Sequence, residues 1–444
     1  MARRPQPELK IVDASFDDVE DFENNPRIHP KRQLEMLAAS IAKHGFNNPI
    51  LLAPKTSKSG KYPIIAGHAR VVAAKQLLMT SVPAIILAHL NKAQQRAYRL
   101  ADNAIPLKGE WCPELLAREL EFVMNCDFEP LEIGFEMGEI DFIIEDNKTE
   151  EAGAEPVLEP DRSVAAVSRV GDIWNIGEHR VGCGDSLNLA FVTKVMKDQL
   201  AGVIISDMPF NVAVAGHIGG LGKIKHREFV MASGEMSESE FAQMMTEAFR
   251  VQAACGKPGA LVYEFIDWRS EPLMRAVGEK IFGPALNVCI WVKPAGAMGS
   301  LYRSRYEMIV VFRVPGAKHV NNVLLGKHGR NRTNVWEYAS PGGFGSERKN
   351  LALHPSVKNK KMIADAIMDS THRGDIVLDA FLGSGTTVLA AHEVGRIGYG
   401  VELDPAYVDL AIQRISEAVG KPPILDDGRP YEAVKADREA EGAW

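Results

Sequence analysis

Hydrophobic positions change period along the chain, and the changes divide it. Between Ile11 and Asp102, Leu34, Leu37 and Ile41 recur at helical spacing up to Gly45, while the short apolar runs 49–53, 62–66 and 82–87 have strand length. This predicts a small α/β unit over 1–102, in which the second strand turns through Gly67-His68-Ala69-Arg70 into a helix reaching Leu78. From 103 to 148 the period is helical, with Leu115, Leu116, Leu120, Phe122 and Val123 after Trp111 on one expected packing face. Residues 149–163 lose the pattern. They carry Glu150, Glu151, Glu155, Glu159, Pro156 and Pro160, as a solvated acidic linker would. A larger α/β domain is expected over 164–420. Its apolar runs 201–206, 308–312, 376–378 and 398–401 read as buried strands, and 362–368 and 388–393 as helices. The end, 421–444, is polar and reads as an appendage.

Two strand ends in the larger domain carry chemistry. After Ile376, Val377 and Leu378 the chain reads Asp379-Ala380-Phe381-Leu382-Gly383-Ser384-Gly385-Thr386-Thr387 and then turns helical. Glycines in such a turn let backbone approach a nucleotide-like ligand at the carboxyl edge of a parallel sheet. Glu402 ends the next strand, about 20 residues on, where an acidic side chain can hold a ribose diol. A lone GxG is as often a plain turn, and Val388 stands where a dinucleotide fingerprint would have its third glycine. That weakens the alternative of a nicotinamide-dependent oxidoreductase.

The run 201–206 delivers Asp207-Met208-Pro209-Phe210. A carboxylate, a backbone carbonyl ahead of a proline and an aromatic ring suit the activation of an exocyclic base amino group, whose lone pair is delocalised. Asp207 and the Met208 carbonyl would take its two N–H hydrogens while Phe210 stacks on the base, and no metal is needed. Alone, Asp207 would read as a turn cap.

Together these motifs resemble those of the β class of S-adenosylmethionine-dependent DNA amino-methyltransferases, in which D-P-P-Y precedes D-x-F-x-G-S-G-T. Here the first reads D-M-P-F. Methionine removes some rigidity, and this motivates a competing reading as a catalytically decayed DNA-binding or partition-type module. His354-Pro355-Ser356-Val357-Lys358-Asn359 is similar to the family's H-P-T-x-K-P, and Gly184-Asp185-Ser186-Leu187 to its short adenine-contacting motif. The resemblance implies a Rossmann-like domain with a mostly parallel sheet. It implies S-adenosylmethionine held by Asp185, His354, Lys358, Asp379, Phe381, Gly383, Ser384, Gly385, Thr386, Thr387 and Glu402. It also implies double-stranded DNA as substrate, base flipping, and a homodimer as in many relatives. Asp at the first catalytic position favours adenine N6. Cytosine N4 enzymes more often have Ser there, and Ser206 precedes Asp207. The Asn-Asn-Pro-Arg turn (24–27) and the strand, G-H-x-R, helix step of 1–102 resemble the ParB-like and sulfiredoxin-like fold. That loop can cradle phosphate at a helix N-terminus or merely cap the helix. It has no cysteine for sulfiredoxin chemistry.

Charge sharpens the picture locally. The chain carries a formal charge of -7, which argues against indiscriminate coating of nucleic acid. Yet 293–336 holds eight Lys or Arg, among them Lys293, Arg303, Arg305, Arg330 and Arg332, against the single acid Glu307. Tyr302, Tyr306, Trp336, Asn321, Asn322 and Asn334 are interleaved there, so target recognition is expected in this stretch. The glycine-rich segment 216–234 adds Lys223, Lys225 and Arg227 as phosphate contacts. Five scattered cysteines without a CxxC pair suggest no metal site and a reducing, cytoplasmic setting. No apolar run approaches the ~18 residues of a membrane span. Nothing in the sequence specifies a partner restriction nuclease.

Overall fold

The computed structural model describes residues 8–21, 26–126, 128–147, 160, 164–211, 236–293, 302–326, 332–338 and 358–441. The chain forms two compact units, Met1–Glu150 and Glu151–Trp444. The first contains β1 (Ile11–Ser15), β2 (Val19–Glu20), α1 (Lys31–His44), β3 (Ile50–Leu52), β4 (Tyr62–Ala66), α2 (His68–Gln76), β5 (Ser81–Ile86), α3 (Lys92–Ala104), α4 (Pro113–Met124) and α5 (Met137–Asp146). Its sheet has the order β1-β5-β3-β4-β2. Ile50, Leu52, Ile64, Val71, Val82 and Ala84 form its core, the apolar runs expected to be strands.

Three differences from the sequence reading stand out in this unit. β1 and β2 were not anticipated, because β1 exposes Ile11 and Val12 and so lacks a buried period. Trp111, Leu115 and Phe122 face outward (72%, 58% and 67% exposed), while Ala117 and Leu120 are the buried positions of α4. In the G-H-x-R loop, the Arg70 guanidinium donates to the carbonyls of Asn48 and Pro49, so it fastens the loop to the segment that enters β3.

The second unit contains β6 (Ile173–Ile176), β7 (His179–Cys183), α6 (Leu189–Val195), β8 (Ala201–Ser206), α7 (Glu238–Cys255), β9 (Gly256–Ile266), α8 (Glu271–Phe282), β10 (Asn287–Val292), β11 (Tyr306–Arg313) and β12 (Val335–Glu337). It continues with α9 (Lys360–Ser370), β13 (Ile376–Asp379), α10 (Thr386–Glu393), β14 (Ile397–Glu402), α11 (Pro405–Val419), β15 (Ile424–Leu425) and α12 (Tyr431–Ala440). Among the described residues the sheet has ten strands in the order β12-β10-β11-β9-β8-β13-β14-β7-β6-β15. Its centre is parallel: β7 pairs with β14, β14 with β13, β13 with β8 and β8 with β9 in the same direction. Helices cover both faces. One core gathers Met245, Phe249, Ile204, Val262, Leu378 and Val401, the other Val203, Ile205, Phe265, Ile363, Ile367 and Val377. Burial on both faces explains the continuous apolar runs.

Residues 421–441 are not an appendage. β15 pairs antiparallel with β6, Tyr431 and Val434 of α12 are buried, and Arg438 grips Asp172 with both guanidinium nitrogens. Polar surface residues hid the two apolar anchors. No described helix is long and apolar enough to cross a membrane.

Candidate active site

Parallel pairing brings the ends of β7, β14, β13, β8 and β9 to one edge of the sheet. Residues far apart in sequence therefore meet: Asp185 after β7, Glu402 at the end of β14, the glycine loop after β13 and Asp207 to Phe210 after β8. Ligands of such sheets bind outside these carboxyl ends.

The glycine loop is braced from beneath. Asp379 is buried, and accepts from the Phe381 N–H at 3.0 Å and the Thr387 hydroxyl at 2.6 Å. Burial pushes its carboxyl up to about 7 despite these two donors. Gly385 has φ +91°, and a Cβ there would lie 3.1 Å from the Ala411 Cβ, so the turn onto α10 needs glycine. Gly398 lets the same helix close on β14, where a Cβ would lie 2.8 Å from the Val388 Cα. Glu402 accepts from the Gly383 N–H and the Asp404 N–H, both at 2.8 Å, and burial raises its carboxyl as well. Gly184 N–H donates to the Glu402 carbonyl at 2.8 Å, which sets Asp185 beside Glu402. Asp185 is exposed and accepts from the Leu187 N–H at 2.8 Å. Ser384 faces α11 instead: Arg414 donates to its carbonyl and hydroxyl at 2.6 and 3.0 Å. Thr386 and Thr387 are buried in the first turn of α10.

The catalytic motif is built around a lysine. Lys358, just ahead of α9, is buried, with Nζ 2.8 Å from Asp207 Oδ2 and 3.0 Å from Glu307 Oε2. Glu307 also holds Lys293, and the Lys358 ammonium lies over the rings of Phe265 (4.9 Å) and Phe210 (5.8 Å). Burial alone would lower the Lys358 ammonium, but Asp207 and Glu307 more than offset it, so the lysine stays charged. Burial raises the Asp207 carboxyl against the pull of Lys358. It would raise Glu307 too, but two lysines hold that carboxyl below its ordinary value. Asp207 Oδ1 is buried and has no hydrogen-bond partner among the described residues. The Met208 side chain is a core residue, which leaves its backbone as the motif's contribution, and Phe210 is half-buried against both cores.

Lys358 was expected among the residues that hold the cofactor; in the structure its ammonium lies against the acceptor carboxylate. Glu307 and Lys293 were missed as site residues. Their signal was a single acid in a basic stretch immediately before an apolar strand. Behind the motif, Ser206 stands opposite Glu264 of β9, both fully buried, and burial holds the Glu264 carboxyl well above its ordinary value.

The basic stretch is only partly available to a ligand. Arg332 ion-pairs with Asp369 at 2.5 Å and Asp365 at 3.5 Å and stacks on Trp336, itself buried, so its assignment as a DNA contact is corrected to an internal tie. Asn322 donates to the Met368 and Thr371 carbonyls at 2.8 and 2.7 Å, and Asn334 to the Val288 carbonyl at 3.1 Å. A base-reading role for Asn322 is likewise corrected, since its buried amide satisfies two backbone carbonyls, while the exposed Asn334 is tied to the β10 backbone. Arg303 and Arg305 are exposed. Lys223, Lys225, Arg227, Arg330 and His354 lie outside the described residues.

A parallel-sheet edge carrying a braced glycine loop, an acidic strand end and a lysine-held acceptor carboxylate defines an α/β transferase of the methyltransferase class. Residues 202–413 match the DNA methylase family, and residues 5–104 match the ParB N-terminal domain. The chain thus carries an N6/N4-type DNA methylase domain over 202–413 and an N-terminal ParB-like domain over 5–104. It is similar to type II methyltransferase M.HpaI of Haemophilus parainfluenzae, 25% identical over 260 residues, covering 54% of this chain and 74% of that one. It is also similar to the ParB-like nuclease domain-containing protein YnaK of Escherichia coli (strain K12), 39% identical over 88 residues, covering 20% of this chain and 94% of that one. The crystal structure of the M1.HpyAVI complex with SAM is similar at TM-score 0.38 and 20% identity, covering 53% of this chain and 98% of that one.

The residues present fit the family's cofactor, S-adenosylmethionine. Asp379, buried, and the part-buried Glu402 give the loop an acidic edge whose raised carboxyls a cationic ligand would favour in their ionised form. Asp379, Phe381, the Gly383 to Gly385 backbone and Glu402 would hold it, with Asp185 at the adenine end.

Proposed function

We propose that this chain methylates the exocyclic N6 amino group of adenine in double-stranded DNA, on a base turned out of the helix. The observation that carries the reading is Asp207: a carboxylate at the strand end, held by Lys358 through one oxygen, with its other oxygen buried and free of partners among the described residues. S-adenosylmethionine, when bound, supplies an electrophilic methyl group. Asp207 Oδ1 accepts one amino hydrogen and the Met208 carbonyl the other, which draws the nitrogen lone pair out of the ring and aims it. Phe210 packs on the base. Lys358 keeps Asp207 ionised, because an acceptor that took up a proton could no longer receive an N–H. Glu402 takes the cofactor's ribose hydroxyls and Asp185 its adenine amine.

Adenine is favoured over cytosine N4 because Asp occupies the first motif position, while Ser206 is fully buried within β8 against β9. The test is incubation with unmethylated duplex DNA and S-adenosylmethionine, followed by digestion to nucleosides and mass spectrometry. N6-methyladenine is expected. N4-methylcytosine would overturn the base assignment, and no methylated base despite cofactor binding would favour a decayed, DNA-binding role.

A further inference from the structure

Beyond the loop and the acceptor, the same sheet edge presents an aromatic mount. β9 runs parallel to β8 with Glu264 opposite Ser206, so the residues after Ile266 emerge next to Asp207. β11 lies on the other side, with Met308 opposite Ile266, which brings Glu307 and the exposed Tyr306 to the same level. At ~3.3 Å per residue and ~4.8 Å between strands, the backbone of Trp268 stands on the order of 10 Å from that of Asp207.

Trp268 is 52% exposed, unlike Trp174, Trp291 and Trp336, which are buried. Its presentation is constructed. Asp267 Oδ1 accepts the N–H groups of Arg269 and Ser270 at 3.1 and 2.9 Å, and Oδ2 binds the Arg269 guanidinium at 3.0 Å. That guanidinium lies 4.9 Å from the centre of the Trp268 ring. One carboxylate thus fixes both the turn and the arginine that covers a ring face. The arginine's charge is met by Asp267, so its place over the ring orients the indole rather than holding it for a phosphate.

We propose that Trp268 is a stacking platform for an unpaired base of the DNA substrate, a neighbour or the orphaned partner of the base delivered to Asp207. This rests on the DNA reading above. Extruding a base costs a few kcal/mol of lost stacking and pairing. An indole presented beside the site replaces one of the stacking faces, without reading sequence, since every base has a π-face.

Fluorescence anisotropy with the full chain and labelled mixed-sequence duplex and single-stranded oligonucleotides tests this, with calorimetric titration of S-adenosylmethionine alongside. Trp268→Ala should weaken DNA binding about 5- to 150-fold, the ~1–3 kcal/mol of one base–aromatic stack at ~1.4 kcal/mol per tenfold. Trp268→Phe should stay within roughly threefold of the parent, since a ring face remains. Cofactor affinity and the salt slope of DNA binding should not move, because no phosphate contact is lost. Parental DNA affinity in Trp268→Ala, or equal losses in the Ala and Phe variants, overturns the platform. A parent that binds cofactor but no DNA overturns the DNA reading itself, and the platform with it.

Discussion

Lys358→Met removes the one ammonium shared by Asp207 and Glu307, and with it the charge over the Phe265 and Phe210 rings, while keeping an unbranched apolar side chain. Glu307 retains Lys293, so the orphan is Asp207. Removing one partner of a buried ion pair typically costs ~3–5 kcal/mol. Asp207 escapes most of that by taking up a proton, and its carboxyl, already raised by burial, rises further. The sign follows. A carboxyl whose folded pKa exceeds its unfolded value binds more protons in the fold, so its contribution is full below the unfolded value and is lost as pH rises through the folded value. The variant should therefore lose stability between acid and neutral pH, by urea melts, relative to the parent. Methyl transfer should move the opposite way. Only ionised Asp207 accepts the amino hydrogen, so each pH unit below its new pKa costs about tenfold in rate. Single-turnover transfer of a tritiated methyl group from pH 6 to 9 should show a deep loss at neutral pH that partly recovers in base. A variant with a pH-independent rate within about threefold of the parent would refute the assignment of Lys358, since a factor of three is under 1 kcal/mol.

Asp379 gives a second pH signature. Its folded carboxyl is up to about 7 against 3.8, so its contribution to stability is present near pH 4 and lost as pH rises through about 7. A sulfonium favours the ionised form, so cofactor affinity in the parent should rise up to about tenfold from pH 6 to 8. Asp379→Asn should flatten both trends by calorimetry, while parental slopes in the variant would count against the carboxylate as their source. Arg332→Met should lower stability by about 3 kcal/mol by removing the guanidinium paired with the buried Asp369, with no change in the salt slope of DNA binding. Arg303→Ala and Arg305→Ala should do the reverse, each reducing that slope by about 1 while shifting stability within about 0.5 kcal/mol. A salt slope lowered by Arg332→Met would restore that residue to the interface.

The parts of the site carried by contiguous residues were legible from the sequence. The Asp379 to Thr387 loop and the Asp207 to Phe210 motif follow apolar runs whose burial on both faces marks parallel central strands. A strand end is local, so its neighbours in sequence are its neighbours in space. The domain boundary was expected for a related reason: the acidic, proline-containing stretch 149–163 carries no apolar period that could be buried.

What only the tertiary structure decided is which charges meet. Lys293, Glu307 and Lys358 come from three elements: the pairing of β8 with β9, β9 with β11 and β11 with β10 brings Glu307 and Lys293 to the level of Asp207, and Lys358 reaches it from the segment ahead of α9. By sequence Arg332 and Arg303 are equivalent cations, yet one is bound to Asp369 and stacked on Trp336 while the other is exposed. Trp111 and Trp268 face outward and Trp336 inward, which no short-range period revealed. Charge lacks a period that folding must honour. A side chain's electrostatic partner depends on strand order and register, set by the burial of apolar residues far along the chain, and so the sequence by itself determined the scaffold and its motifs, and the packed sheet determined their chemistry.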